Sequence, residues 1–153
     1  MRKISAALAV LGLAALGAVV PATTAHAGPN CDAKWNNLAP GYFVAYGGTD
    51  CYGDVLGWTE SYDTNWGNDV GPFQGGDTNQ ATSILQKGTS WMAVKIYNET
   101  GDDWGGSYSC LTRGVLYASD LSNDRFSSGA IVNNAISSHK WVPQVECFGE
   151  FVQ

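Results

Sequence analysis

The chain has 153 residues, of which 14% are charged, and its formal net charge at pH 7 is −6. Two of its eight basic residues and none of its fourteen acidic residues precede residue 28, so residues 28–153 carry a net charge of −8. Such an acidic surface argues against binding to nucleic acids or to anionic membranes.

The first 27 residues have the pattern of a secretory signal peptide. Arg2 and Lys3 precede an apolar run over residues 6–20, and the tripeptide AHA at residues 25–27 is typical of a cleavage site. A membrane anchor is the alternative, but the length and flanks of the run favour cleavage. We therefore expect residues 1–27 to be removed and residues 28–153 to form one secreted, extracellular domain without a membrane span.

All four cysteines lie in this predicted mature part, at Cys31, Cys51, Cys110 and Cys147. An even number in an exported chain indicates two disulfides, which can be paired in three ways. Zinc binding is the alternative, but the chain has no C-x-x-C pair. We favour Cys31–Cys51 and Cys110–Cys147, which place one bridge in each half.

The elements predicted along the chain are short strands. Tyr42–Tyr46 (YFVAY) and Trp91–Tyr97 (WMAVKIY) alternate with period two and are followed by glycine-rich turns. Only the segment Arg113–Asp124 has the character of a helical turn. The sequence therefore predicts an all-β domain.

An internal repeat organises these elements. An aromatic residue, a spacer, a second aromatic and a glycine occur at residues 46–53 and again at 97–105, with starts 51 residues apart. The polar segment TNQATSI at residues 78–84 returns in related form as NNAISSH at 133–139, 55 residues later. Two features that recur in the same order with nearly the same period predict two related units.

The repeated features resemble the βγ-crystallin superfamily, whose Greek-key units carry an aromatic hairpin followed by (Asn/Asp)-(Asn/Asp)-x-x-(Ser/Thr)-Ser. Residues 133–138 (NNAISS) fit this motif at every position, and residues 78–83 (TNQATS) miss only the first. The resemblance covers residues 40–142 or so and is closest to small secreted bacterial members, including the metalloproteinase-inhibitor and killer-toxin-like families.

The resemblance implies a Greek-key sandwich of two four-stranded sheets, which the disulfides would stabilise. Its two units would cover about residues 40–88 and 89–145 of a single domain. Alternate residues of each strand would face inward. The core would then contain Ile84, Met92, Val94, Ile96 and Ile136.

The resemblance also implies calcium binding, because the motif supplies oxygen ligands in this superfamily. The implied ligands are the side chains of Asn79, Thr82, Asn134 and Ser137, the backbone carbonyls of Gln80 and Ala135, and carbonyls from the loops after Tyr46 and Tyr97. Neither motif contains a carboxylate, so we expect dissociation constants no tighter than about 10⁻⁴–10⁻³ M. The alternative is that these side chains only hydrogen-bond the backbone of tight turns.

Catalytic chemistry is not evident in the sequence. His139 follows a serine pair, but adjacent strand residues point to opposite faces, so we expect a half-exposed histidine that does not share a proton with Ser138. No nucleophile elbow, metalloprotease motif or phosphate-binding loop is present. The chain is therefore predicted not to be an enzyme.

Binding to an extracellular protein or glycan is the predicted function of a monomeric module. Trp58 and Trp66 flank a glycine-rich polar loop, and we expect both to be exposed for partner binding. One alternative is an extracellular peptidase inhibitor, acting through a rigid loop at Glu60–Gly76 or Asn98–Gly106. A second alternative is an antimicrobial or killer-toxin-like protein.

Overall fold

A computed structural model describes residues 28–153, and the predicted signal peptide at residues 1–27 lies outside the described residues. Within the described range the chain forms one α-helix and seven strands. They are α1 (Pro29–Asn37), β1 (Phe43–Tyr46), β2 (Val55–Thr59), β3 (Ser83–Gln86), β4 (Met92–Tyr97), β5 (Tyr108–Leu111), β6 (Tyr117–Ala118) and β7 (Ser138–Pro143). No helix in residues 28–153 has the length and apolar character needed to cross a membrane.

The strands form two antiparallel sheets, one ordered β2-β1-β3-β6 and the other β5-β4-β7. The two halves of the chain exchange segments, because β6 from the second half pairs with β3 of the first. In return, Asp63 of the first half bridges to His139 on β7. This exchange joins the two halves of the chain. The two antiparallel sheets confirm the predicted all-β sandwich.

The second sheet differs from the prediction, because its expected fourth strand is reduced to the bridge at Asp63. The N–H groups of Asn65 and Phe73 donate to the Asp63 carboxylate at 2.9 and 3.1 Å. These bonds turn the chain away immediately after the bridge. A longer strand at Asp63 would require its carboxylate to give up these two hydrogen bonds, which stabilise the turn.

The space between the sheets contains the main core. Four of the five predicted core residues, Ile84, Val94, Ile96 and Ile136, are fully buried there, whereas Met92 is only partly buried at the start of β4. Phe43, Leu111 and Phe126 fill the same space. Burial of such side chains is the dominant favourable term in folding, at about 1.5–3 kcal/mol for each large apolar residue.

Each sheet also has a cover on its outer face, so several strands are buried on both sides. Helix α1 covers the first sheet and packs Trp35 and Leu38 against Val44 and Leu85. The C-terminal segment covers the second sheet, where Ala93, Cys110, Val142 and Cys147 form a smaller cluster.

Helix α1 was not predicted from the sequence, which marked only Arg113–Asp124 as a helical turn. That segment holds β6 and a 3-10 turn at Leu121–Asn123. The ends of α1 are capped by distant side chains. The Asp50 carboxylate accepts from the N–H groups of Asn30 and Cys31 at 3.2 and 3.0 Å. This arrangement satisfies free donors at the helix N-terminus and complements its dipole.

The C-terminus of α1 is held in the complementary way. The Lys87 ammonium donates to the carbonyls of Trp35 and Leu38 at 3.0 and 2.9 Å. It also lies 4.5 Å from the centroid of the Trp35 ring. A positive charge at the last carbonyls is the favourable arrangement for a helix dipole.

Both cysteine pairs are disulfides, Cys31–Cys51 and Cys110–Cys147, which is the pairing that the sequence analysis favoured. The first fixes α1 to the turn after β1, and the second fixes the C-terminal segment to β5. The bridges therefore tie the two outer covers to the sandwich. Bridges that close loops of this size typically contribute about 2–4 kcal/mol.

Gly57 provides a test of how closely the loop after β2 is packed against the sheet. A Cβ at this buried position would lie 2.6 Å from the Pro72 carbonyl oxygen and 2.7 Å from the Phe73 ring. We expect Gly57→Ala to lower the free energy of unfolding by about 1–3 kcal/mol, as overpacking does. Urea unfolding measures this change.

Gly76→Ala is the matched control, because a Cβ at Gly76 meets nothing within 4 Å. We expect this exposed variant to unfold within about 0.5 kcal/mol of the wild type. Equal destabilisation by both substitutions would contradict the close packing described for Gly57.

Candidate functional site

The two polar motifs lie at equivalent turns, one leading into β3 and the other into β7. Asn79 and Asn134, at the second motif position, have φ values of 59° and 54°. This left-handed conformation is uncommon for residues other than glycine, and asparagine tolerates it better than most. The preference explains an asparagine at this position of both motifs.

The motifs bind each other through a reciprocal pair of backbone hydrogen bonds. Asn79 N–H donates to the Ile136 carbonyl at 2.9 Å, and Asn134 N–H donates to the Ala81 carbonyl at 2.9 Å. Each bond is related to the other by the 55-residue offset of the repeat. The two turns therefore face each other with local twofold symmetry.

The side chains repeat the same reciprocity. The Ser137 hydroxyl donates to Asn79 Oδ1, and the Thr82 hydroxyl donates to Asn134 Oδ1, both at 3.2 Å. Each amide oxygen is thus placed beside a hydroxyl oxygen from the opposite motif. The structure brings the four predicted side-chain ligands together as two pairs.

The aromatic hairpins contact both motifs in an equally symmetric way. At the fifth motif position, Thr82 N–H donates to the Tyr46 carbonyl at 2.9 Å, and Ser137 N–H donates to the Tyr97 carbonyl at 2.8 Å. The loops after Tyr46 and Tyr97, which were expected to supply carbonyl ligands, therefore begin directly beside the two oxygen pairs.

The sixth motif position is structural. The buried hydroxyls of Ser83 and Ser138 donate to the carbonyls of Gly48 and Glu99, each at 2.6 Å. Each bond holds the folded loop of a hairpin against its own motif. The last serine of the motif therefore positions the loop, whereas the fifth-position hydroxyls of Thr82 and Ser137 bond to the opposite motif.

The oxygen groups of the motifs fit a calcium ion in chemical type. Asn79, Gln80 and Asn134 are exposed, and Asn133 Oδ1 is a buried oxygen without a hydrogen-bond partner among residues 28–153. Amide, hydroxyl and carbonyl oxygens are ligands that calcium accepts. The described residues contain no group of three or more His, Cys, Asp or Glu side chains that could hold a metal ion.

The two tryptophans expected to be exposed have different environments. Trp58 lies on the edge strand β2 and is 61% exposed. The prediction that Trp66 is exposed is wrong, because its ring is fully buried and stacks on Phe73 with centroids 4.0 Å apart. Trp66 therefore anchors the 60–76 loop in the core and is not available to a partner.

His139 is also placed differently from the expectation, because it is fully buried instead of half-exposed. The Trp66 indole N–H donates to His139 Nδ1 at 2.9 Å, so the neutral ring carries its proton on Nε2. Burial lowers the pKa of His139 to about 3, and the nearby Ser61 backbone opposes this only in part. Ser138 Oγ bonds to Glu99, as described above, and the two residues do not form a catalytic pair.

A groove of about 550 Å³ lies at one side of the second sheet, between the 60–64 segment and the loop at residues 102–104. Neither Trp58 nor Trp66 borders it. Its aromatic residues are Tyr62, Trp104 and Trp141. The sequence marked none of these as exposed aromatics, because the groove forms only when loops from both halves meet.

Comparison with known proteins identifies the fold of this sandwich. No protein-family model matches the chain, and no curated protein matches it. Among solved structures, a domain from work on the evolution of the eye-lens βγ-crystallin fold is similar with a TM-score of 0.50 and 18% identity, covering 70% of this chain and 90% of that one. The chain therefore has the βγ-crystallin fold, which is the fold that the resemblance implied.

Two further structures, both of βγ-crystallins, match over all of their own length. The βγ-crystallin from Ciona intestinalis has a TM-score of 0.47, 17% identity and 67% coverage of this chain. A βγ-crystallin from an archaeon has a TM-score of 0.46, 20% identity and 68% coverage.

The environment of His139 predicts an imidazole that stays neutral in the folded protein. It is the single histidine of residues 28–153, so its resonances can be followed by NMR without overlap. We expect no titration between pH 8 and 4.5, because the folded pKa is about 3. A midpoint between pH 6 and 7 would contradict the buried, indole-bonded ring.

The same shift has a consequence for stability. The folded-state pKa of His139 lies below its unfolded value of about 6.5, so the contribution of His139 to the free energy of unfolding is complete above pH 6.5. Below pH 6.5 this contribution falls by about 1.4 kcal/mol per pH unit. Asp124 acts in the opposite direction, because burial raises the pKa of its folded-state carboxyl to about 6. The contribution of Asp124 to the free energy of unfolding therefore grows as pH falls from 6 towards 4. Because the two effects oppose each other, NMR reports on His139 more clearly than a measurement of overall stability does.

Proposed function

We propose that this chain is an extracellular, non-enzymatic βγ-crystallin-type module that binds calcium weakly at its paired turns and acts by binding an extracellular target. The observation that carries the calcium proposal is the reciprocal placement of an amide oxygen beside a hydroxyl oxygen from the opposite motif, at 3.2 Å in both halves. A turn that needed only to cap its own backbone would not require this exchange between halves.

Each site would combine the side chains of one asparagine and one hydroxyl residue with backbone carbonyls. Asn79 with Ser137, and Asn134 with Thr82, would be the side-chain pairs. The carbonyls of Gln80 and Ala135 and those of the two hairpin loops would add ligands, and water would complete a shell of six to eight oxygens. When bound, calcium would supply a cross-link between the two halves.

The affinity should be low, in the range of about 10⁻⁴–10⁻³ M seen for extracellular modules. Every proposed ligand is neutral, and each hydroxyl must redirect a hydrogen that now points at the amide oxygen. Calcium is abundant outside cells, so a weak site is still useful there. The two disulfides suit the same oxidising environment.

A non-enzymatic role is supported by the condition of the reactive groups in residues 28–153. All four cysteines are in disulfides, so no thiolate is available. His139 is buried and neutral and accepts an indole hydrogen bond, which makes it a core residue. Binding is therefore a better use of this scaffold than acid–base catalysis.

The calcium proposal predicts a metal-dependent gain in thermal stability. At 10 mM calcium and a dissociation constant of about 1 mM, each site should add about 1.4 kcal/mol, which raises the melting temperature by several degrees. Magnesium at the same concentration should raise it much less, because it prefers a rigid octahedral shell rich in water. Differential scanning calorimetry in EDTA, magnesium and calcium measures the effect.

A double variant, Asn79→Gly with Asn134→Gly, separates the metal ligands from the backbone of the turns. Glycine keeps the left-handed conformation and removes both amide oxygens. We expect the calcium-induced shift to disappear in this variant and to persist in the control Asn123→Gly, an exposed asparagine outside the motifs. No shift at 10 mM calcium in the wild type would refute the metal assignment.

A further inference from the structure

The groove beside the second sheet has fixed walls. Gly101 N–H donates to the Thr64 carbonyl at 2.9 Å and joins the two walls. The first wall is also fixed to β7, because Asp63 and His139 exchange two backbone hydrogen bonds of 3.0 and 2.9 Å. The groove is therefore formed before any ligand arrives, which lowers the entropic cost of binding.

Two aromatic rings form a corner in the groove. Tyr62 is 59% exposed, and its ring meets Trp104 at a centroid distance of 6.1 Å and an angle of 80°. Trp104 is supported from behind by the buried ring of Tyr97, 5.4 Å away. The rings thus offer an apolar surface whose orientation is set by the protein.

Charged groups of both signs surround this corner. The exposed residues Glu60 and Asp102 line the groove, and the Glu60 side chain also hydrogen-bonds Tyr42. The Lys140 ammonium lies 4.7 Å from the centroid of the Trp104 ring. Hydrogen-bond acceptors and a donor therefore stand around an aromatic surface.

This combination matches the chemistry of a neutral sugar. A pyranose ring with equatorial hydroxyls has an apolar C–H face that packs on an aromatic ring, and its hydroxyls both donate and accept at the edge. An anionic polysaccharide fits less well, because the groove has two carboxylates and one ammonium and the domain is acidic overall. The groove has a volume typical of small-molecule sites.

We propose that the groove formed by Glu60, Tyr62, Asp102, Trp104 and Lys140 binds a neutral oligosaccharide of pyranose sugars with equatorial hydroxyls. The inference rests on the proposed function only in that the module acts by binding an extracellular target. It does not require calcium, because none of the five side chains is a proposed metal ligand. Asp102 and Trp104 do lie in the hairpin loop whose backbone carbonyls are proposed ligands.

The test is a set of calorimetric titrations in EDTA, so that the result is independent of the calcium proposal. The probes are a β-1,4-linked tetrasaccharide of glucose, the corresponding tetrasaccharide of N-acetylglucosamine, an anionic tetragalacturonate and tetra-lysine. We expect one or both neutral probes to bind, and the comparison between them identifies the preferred sugar. Binding of tetragalacturonate or tetra-lysine in preference to both would overturn the proposal.

The variant Tyr62→Ala tests whether the sugar binds in the groove. Removing this exposed ring should weaken binding of the neutral sugar by about three- to tenfold, the value of one aromatic contact. Tyr52→Ala is the matched control, because Tyr52 is the exposed hairpin aromatic of the first repeat, 63% exposed, and lies outside the groove. Absence of binding by the wild type, or an equal loss in both variants, would reject this site.

Discussion

The reciprocal pair of backbone hydrogen bonds between the two polar turns is the constraint on which the rest of the structure depends. Asn79 donates to Ile136 and Asn134 donates to Ala81, each at 2.9 Å. The bonds connect the halves in both directions, so each turn donates one hydrogen bond to the other and accepts one from it. They fix where β3 and β7 begin, and so they set which side chains enter the core and which oxygens face each other.

The sequence could predict this arrangement because it is repeated. Residues 78–84 and 133–139 recur with an offset of 55, and a symmetric pair of turns needs the same side chains in both copies. The strand alternation in β4 likewise predicted the buried Val94 and Ile96. Local patterns could not reveal α1, since its caps come from Asp50 and Lys87, which are distant in sequence.

The errors at Trp66 and His139 have one common cause. Both expectations came from local sequence: Trp66 adjoins a glycine-rich polar loop, and His139 follows a serine pair on a strand. In the core, however, the Trp66 indole N–H bonds to the His139 imidazole nitrogen. The partners are separated by 73 residues, so no local pattern connects them. The bond satisfies the indole donor and the Nδ1 acceptor and so lowers the cost of burying both rings. His139 Nε2 is buried without a hydrogen-bond partner among residues 28–153. The groove of the second sheet was missed for the same reason, since its walls come from different halves.

We propose that the two motifs bind calcium as a pair. A calcium titration of ¹⁵N-labelled protein followed by NMR tests it most directly, because the amides of residues 79–83 and 134–138 report on both turns separately. We expect both groups of amide signals to shift as calcium rises into the millimolar range. Shifts confined to one motif, or no shifts in either, would contradict it.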